Sequence, residues 1–218
     1  MIKMVIFDLD GTLANSLADL ALNVNKGLKA AGLPERPVAN YRNYVGNGRV
    51  TLVKRAMGDA ASDHVKFNVV ISTFNREYNI HCNDHTVAYD GCADMLKGLS
   101  DKGIRTAVLS NKPDEFVEKI MRELYPEHRF TAVWGQKPQY NCKPDGESLR
   151  SMLWLYNLAP ADCIYVGDSD VDVYTARDAG VRMAGVSWGF RGKEELQAAG
   201  APYVADTAGE LLDYLLTL

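Results

Sequence analysis

Along the chain, short and nearly continuous apolar runs alternate with longer stretches in which apolar residues recur every three or four positions. The runs Val5-Ile6-Phe7-Asp8, Thr106-Ala107-Val108-Leu109-Ser110, Ala132-Val133-Trp134-Gly135, Cys163-Ile164-Tyr165-Val166-Gly167-Asp168 and Met183-Ala184-Gly185-Val186-Ser187 are bounded by Gly, Asp or Ser. They read as strands buried on both faces. Between them the spacing predicts helices over residues 94–102, 113–124, 147–156, 171–179 and 208–216, with Gly103 and Gly180 placed to stop two of them. Strands that alternate with helices imply a parallel sheet covered on both sides. The expected fold is therefore α/β, a doubly wound, Rossmann-like core.

From Leu17 to about Thr86 the alternation stops, and only helical patterns remain, over 17–31, 50–57 and 65–78. Connections in such folds usually run ~2–6 residues, so a stretch of roughly 70 is expected to be a separate helical insert after the first strand. Its return lies near Tyr89-Asp90-Gly91, where Asp-Gly favours a turn. The expected division is residues 1–14 with 88–218 for the core and 15–87 for the insert. Tyr41, Tyr44, Met57, Phe67, Phe74 and Tyr78, at helical spacings, are expected to form the insert's own apolar centre.

Composition narrows the function. The 218 residues carry 24 Lys+Arg against 28 Asp+Glu, a formal charge of −4, and 47% are hydrophobic, enough to build a real core. A mild acidic excess offers no basic face for nucleic acid. No run approaches the ~20 apolar residues of a membrane span. The apolar start is interrupted by Asp8 and is too short for a secretion signal. Cys82, Cys92, Cys142 and Cys163 form no CxxC pair and read as free thiols, so a cytoplasmic protein is expected. His81-Cys82-Asn83-Asp84-His85 reads as a turn-containing loop, not a zinc site.

Three of the expected strands end in polar residues: Asp8 after the first, Ser110-Asn111 after the second and Asp168 after the fourth. In an open parallel sheet, ligands bind in the crevice beyond those ends. Asp8 and Asp10, two positions apart on extended chain, point to one side, and Gly11 lets the backbone turn at once. Asp168 and Asp172 add carboxylates one helical turn apart. Crowded like charges call for a cation or a retained proton. An all-oxygen set points to Mg²⁺ instead of zinc. Ser110 and Asn111 are expected at a helix N-terminus opened by Pro113, where amides attract an anion, and Lys143 supplies a cation that can reach the same rim. About −3 from Asp8, Asp168 and Asp172 and about −2 from a phosphate dianion stand against about +3 from Mg²⁺ and Lys143, a balance that favours a phosphoryl substrate.

Asp8-x-Asp10-Gly11-Thr12, Ser110, Lys143-Pro144 and Gly167-Asp168-x3-Asp172 resemble, in order, the four motifs of the haloacid dehalogenase superfamily, and the helical insert resembles its cap. Tyr44-Val45-Gly46-Asn47-Gly48, Ser110-Asn111-Lys112-Pro113, Val166-Gly167-Asp168-Ser169 and Ser187-Trp188-Gly189-Phe190 are similar to the phosphoglycolate phosphatases within it. The resemblance implies a Mg²⁺-dependent phosphomonoester hydrolase acting on a small phosphorylated metabolite, with 2-phosphoglycolate favoured. It implies Asp8 as the nucleophile that becomes an aspartyl-phosphate, and Asp10 as general acid and then base, a duty that needs a pKa above the ordinary ~3.9. The implied metal set is Asp8, the backbone carbonyl of Asp10, and Asp168, with Asp172 in support. Ser110 and Lys143 would bind the phosphoryl oxygens, with Thr12 and Asn111 as orienting groups.

Arg49 resembles the cap arginine with which β-phosphoglucomutases hold a second phosphate, so a sugar-phosphate mutase stands as an alternative; Gly167 opposes it, because those enzymes tend to carry Glu there. A phosphonate-cleaving relative would use a cap lysine, for which Lys26 and Lys29 are available. A non-catalytic phosphometabolite sensor is a further alternative, but it would have no need of Asp10. Dehalogenation is disfavoured for the same reason, since it has no alkoxide to protonate. A monomer or homodimer is expected, with neither nucleic-acid nor membrane partners.

Overall fold

A computed structural model of the chain describes residues 2–218. Two compact units appear, Met1–Ala14 with Ala88–Leu218, and Asn15–Val87. β1 (Met4–Phe7) opens the chain, and the two crossing segments β2 (Ala14–Asn15) and β3 (Val87–Ala88) pair as a small two-stranded sheet. Between them lie α1 (Leu17–Ala30), α2 (Gly48–Met57) and α3 (His64–His81), with short 3₁₀ turns at Val38–Asn43 and Gly58–Ser62. After the return come α4 (Cys92–Asp101), β4 (Arg105–Pro113), α5 (Asp114–Leu124), β5 (Ala132–Gln136) and α6 (Glu147–Leu155). The chain closes with β6 (Cys163–Gly167), α7 (Asp170–Ala179), β7 (Arg182–Val186), α8 (Lys193–Ala199), β8 (Val204–Ala205) and α9 (Ala208–Leu216).

The α/β unit is a parallel sheet in the order β5-β4-β1-β6-β7-β8. β1 is apolar on both faces because both faces are covered. Met4 and Ile6 point into one core with Leu149 and Met152 of α6 and Val173 and Ala176 of α7. Val5 and Phe7 point into the other with Met95 and Leu99 of α4, Ile120 of α5 and Leu211 of α9. This is the two-residue alternation of a strand, expressed between two buried layers. Phe7 pairs with Val108 of β4 on one side and with Val166 of β6 on the other. From β1 the chain winds outward in both directions, so the tip of β1 marks the topological switch point.

In the helical unit, α1 and α3 approach closely at Gly27, where a Cβ would stand 2.7 Å from the Val70 carbonyl oxygen. Tyr41, Met57, Phe74 and Tyr78 are buried in this unit, whereas Tyr44 and Phe67 are half-buried. The Asp19 carboxylate, itself buried, accepts from the His85 N–H at 3.0 Å and the Thr86 hydroxyl at 2.6 Å, tying the end of the unit back to its first helix. His81 Nδ1 lies 2.7 Å from Asp84 Oδ2 on the surface.

Three features depart from the expectation. The sheet has a sixth strand, β8, and an added helix, α8; two and seven residues are too short to show periodicity. Pro113 does not begin a helix. It ends β4 with φ −53° and ψ 141°, and α5 starts at Asp114. The cause is a slip in the β4/β5 register between Leu109 and Pro113, which carries Ser110, Asn111 and Lys112 forward as an irregular strand tip. Gly135 permits it, since its N–H bonds Asp114 Oδ1 at 2.7 Å and a Cβ there would strike the backbone of residues 112 and 114.

Candidate active site

The tips of β1, β4 and β6 bring the acids together. Carboxylate oxygens of Asp8, Asp168 and Asp172, all buried, lie within 4.8 Å of one another, and no other such metal-capable group occurs among the described residues. Asp8 leaves β1 with its N–H bonded to the Val166 carbonyl at 2.8 Å, which fixes it beside the β6 tip. Gly11, at φ +89°, turns the chain over Asp168, and a Cβ at either Gly11 or Gly189 would land on the Asp168 carboxylate. The Phe190 N–H then donates to Asp168 Oδ2 at 2.6 Å, fixing the carboxylate's direction.

Lys143 reaches this cluster from the segment before α6. Its Nζ lies 2.9 Å from Asp8 Oδ1 and 2.8 Å from Asp172 Oδ1, and it donates to the Tyr165 hydroxyl at 2.9 Å. Tyr165 in turn donates to the Leu109 carbonyl at 3.0 Å. Asn111 turns its side chain to the Lys143 backbone. Its carboxamide brackets the Lys143 peptide, with Oδ1 accepting from Lys143 N at 2.7 Å and Nδ2 donating to Lys143 O at 3.0 Å. Its visible task is to hold Lys143. Asp172 is likewise occupied on both sides, Oδ1 by Lys143 and Oδ2 by the Ser169 hydroxyl at 2.6 Å and the Ser169 N–H at 3.2 Å. It contributes charge and position from one turn inside α7.

Three further candidates from the sequence fall in different places. Ser110 is buried at the β4 tip, four residues before α5 begins at Asp114, and its Oγ accepts from Lys112 N at 3.3 Å. The Thr12 carbonyl accepts from Trp188 Nε1 at 3.0 Å, while its hydroxyl is buried with no hydrogen-bond partner. Arg49 is exposed at the start of α2, with Nη1 3.4 Å from Asn75 Oδ1. It belongs to the helical unit.

The electrostatics follow from burying three carboxylates with one ammonium. Burial pushes Asp8 up to about 7, with the charges of Asp172 and Asp10 adding to the rise and Lys143 opposing it. Burial also lifts Asp168 well above the carboxylate range, reinforced by Asp172 and Asp8. Burial alone would lower Lys143, but Asp172 and Asp8 more than reverse that and raise it well above its ordinary value. The pocket is short of positive charge. An all-oxygen donor set in that condition fits a hard divalent cation such as Mg²⁺, held by Asp8 and Asp168 with Asp172 behind them.

A pH signature follows. The unfolded Asp8 carboxyl ionises near 3.8, whereas the folded one keeps its proton to about 7, so between those values the folded state binds more protons. Metal-free protein is expected to lose stability as pH rises through that window, and Asp168 adds a change of the same sign. Above pH ~7 Asp8 contributes no further change. A divalent cation held there would require the carboxylates ionised, so a rise in melting temperature on adding Mg²⁺ is expected to be larger at pH 8 than at pH 5. Thermal melts at both pH values, with and without magnesium, measure this; the reverse order would refute the metal assignment.

The sequence gives Lys112, Tyr165 and Gly189-Phe190 a place in motifs and strands but no individual task. Lys112 Nζ lies 3.1 Å from Asp10 Oδ1, both side chains being largely buried. Tyr165 carried a signal: a tyrosine inside an apolar strand needs a partner for its hydroxyl. Lys112 and the turn gave none, because their contacts cross between distant segments.

The chain matches the family described as haloacid dehalogenase-like hydrolase over residues 5–186. It is 31% identical to phosphoglycolate phosphatase 1 of Pseudomonas aeruginosa, over 96% of this chain and 78% of that one. Identity is 30% with the phosphoglycolate phosphatase of Vibrio cholerae, over 99% and 97%. A crystal structure from Lactobacillus delbrueckii subsp. bulgaricus superposes with a TM-score of 0.91 at 31% identity, covering 98% of both chains. With the match spanning most of its length and the acidic strand tips in place, the chain belongs to the haloacid dehalogenase-like hydrolase family.

Proposed function

We propose that this phosphatase hydrolyses the small phosphomonoester 2-phosphoglycolate in the cytoplasm, through an aspartyl-phosphate on Asp8 and with Mg²⁺ in the acidic pocket. The observation that carries the reading is the buried contact of Lys143 with Asp8 and Asp172 beside Asp168. Such a set is costly to bury and suits a dianionic group at the strand tips. The names of the relatives supply the ester.

The Asp8 carboxylate attacks phosphorus, and the bond from phosphorus to the ester oxygen breaks. The departing alkoxide of glycolate takes a proton from Asp10, which stands two residues along the same turn. Asp10 then accepts a proton from water as that water attacks the acyl phosphate; the Asp8–phosphorus bond breaks and inorganic phosphate leaves. Lys143 and Ser110 hold the phosphoryl oxygens, and Thr12 directs its hydroxyl to the same space. Mg²⁺, when bound, draws charge from the phosphoryl group and lets the carboxylates of Asp8 and Asp168 share a site with it.

Gly167 supports hydrolysis over isomerisation, since any side chain there would strike Asp172. Lys26 is engaged with Glu77 at 3.2 Å, which gives no support to a Schiff-base lysine. Steady-state assays over a metabolite panel test the reading. The expected result is release of inorganic phosphate from 2-phosphoglycolate above all others, lost on chelation and restored by Mg²⁺. Isomerisation of β-glucose 1-phosphate, or binding of esters without turnover, would overturn it.

A further inference from the structure

The turn from Leu9 to Ala14, which carries Asp10, closes on itself through its own backbone. The N–H groups of Thr12, Leu13 and Ala14 all donate to the Leu9 carbonyl, at 3.1, 3.0 and 2.9 Å, and the Gly11 N–H donates to the Ala14 carbonyl at 2.9 Å. The carbonyls of Leu13 and Thr12 are met from other segments. Leu13 accepts from the Tyr125 hydroxyl at 2.7 Å and from the Tyr89 N–H at 3.3 Å. Thr12 accepts from Trp188 Nε1 at 3.0 Å and from the Cys92 thiol at 3.9 Å. Tyr125 and Cys92 are buried in the core, whereas Trp188 is half-buried and belongs to the residues that hold Asp168. The Phe190 N–H donates to Asp168 Oδ2 at 2.6 Å, and a Cβ at Gly189 would strike both the Asp168 side chain and the Gly11 carbonyl oxygen. Residues 188–190 thus join the Asp10 turn to Asp168.

We propose that Trp188 is a positioning residue for Asp10, its indole N–H fixing the turn that carries this carboxyl relative to Asp168. The inference rests on the reading of Asp10 as the group that protonates the leaving oxygen. Phenylalanine would fill much of the same space, so what tryptophan adds at this point is one N–H, a donor that needs an acceptor when buried. The Thr12 carbonyl is that acceptor. Without the indole it keeps the Cys92 thiol, a weak donor at long range. Thr12 stands two residues after Asp10 in a six-residue turn, so a shift of its carbonyl passes to the Asp10 backbone. Lys112 Nζ, 3.1 Å from Asp10 Oδ1, steadies the side chain, and Trp188 steadies the backbone that bears it. Proton transfer needs the acid within hydrogen-bond reach of the leaving oxygen, which makes this step sensitive to a small displacement of the turn.

The test reads kcat/KM of the full-length enzyme, at saturating Mg²⁺, for two esters: the alkyl phosphate that the metabolite panel finds best, and p-nitrophenyl phosphate. The alkoxide of the first takes the Asp10 proton as its bond to phosphorus breaks, whereas nitrophenolate leaves as a stable anion and needs no acid. Both esters transfer the phosphoryl group to Asp8, so damage to Asp8, Lys143 or the metal set lowers both values and cancels in their ratio. Trp188→Phe is expected to lower the alkyl-to-aryl ratio about tenfold. Benzothienylalanine in place of Trp188 keeps the shape of the indole and puts sulfur where the N–H was; it is expected to match, so that poor folding of one variant does not decide the matter. Asp10→Asn is expected to lower the ratio further, and Trp188→Phe added to it is expected to lower it no more, as for two residues acting through one group. An unchanged ratio in both Trp188 variants, with a fall in Asp10→Asn, would overturn the assignment of Trp188 and leave Asp10 as the acid. An unchanged ratio in Asp10→Asn would overturn the acid reading and Trp188 with it. A fall from Trp188→Phe that persists in full on top of Asp10→Asn would also overturn the assignment, because the indole would then act by a route other than Asp10.

Discussion

Asp8→Asn is expected to reduce turnover of 2-phosphoglycolate by about ten-thousand-fold or more, the scale seen when a covalent nucleophile is removed. Asparagine matches aspartate in size, and the backbone bond from residue 8 to Val166 does not involve the side chain, so the fold is expected to survive. What is lost is the carboxylate that the proposed reaction uses to attack phosphorus. The same substitution removes a carboxylate that burial has raised to about 7, so the metal-free variant is expected to lose less stability between pH 4 and 7 than the wild type. That second readout separates a folded, inactive enzyme from an unfolded one. Acid quenching of a single turnover completes the experiment, because it is expected to trap phosphate on the Asp8 peptide. Phosphate on another residue, or activity of the variant within tenfold of wild type, would move the nucleophile elsewhere.

Much of the architecture was legible because each strand of the central sheet is buried on both faces. Val5-Ile6-Phe7 and Cys163-Ile164-Tyr165-Val166 have no polar position until the tip, and the tip is where Asp8 and Asp168 stand. The break in alternation after Leu13 likewise exposed the helical unit. The short elements were hidden for a simple reason: β8 spans two residues and takes its place from pairing with β7, not from its own composition. The turn of β4 was hidden differently. Pro113 fits a helix start by local preference, and a register slip against β5, together with the close approach of Gly135, holds it extended.

The site divides along the same line. Residues whose chemistry lies in their own motif could be found: Asp8, Asp10, Asp168 and Asp172 follow strand tips and turn glycines. Roles that depend on a second segment could not. The carboxamide of Asn111 brackets the peptide of Lys143, thirty-two positions away, a contact that no local spacing shows. Nothing in its own segment places Lys112 beside Asp10. Asp172, expected in support of the metal set, stays in the acidic cluster with its oxygens met by Ser169 and Lys143, contacts that its own motif shows only in part.

Lys143→Met is expected to separate metal binding from substrate binding. In the wild type this one ammonium answers Asp8 and Asp172 at 2.9 and 2.8 Å and bonds the Tyr165 hydroxyl, with its own side chain almost fully enclosed. Removing it leaves two buried carboxylates without their cation, a change that costs about 3–5 kcal/mol near neutral pH. The loss is expected to shrink as pH falls, since Asp8 can then take a proton. With the ammonium gone the pocket is more negative, so Mg²⁺ is expected to raise the melting temperature of the variant at least as much as that of the wild type. The phosphate dianion meets the opposite condition, and kcat/KM for 2-phosphoglycolate is expected to fall about a thousandfold. Arginine is not expected to rescue it, because a planar fork cannot take the place of a point charge enclosed by two carboxylates and a hydroxyl. Calorimetry with Mg²⁺ and steady-state kinetics on the same preparation read both sides. A variant that loses its response to magnesium but keeps its KM would show that Lys143 serves the cation and not the phosphoryl group.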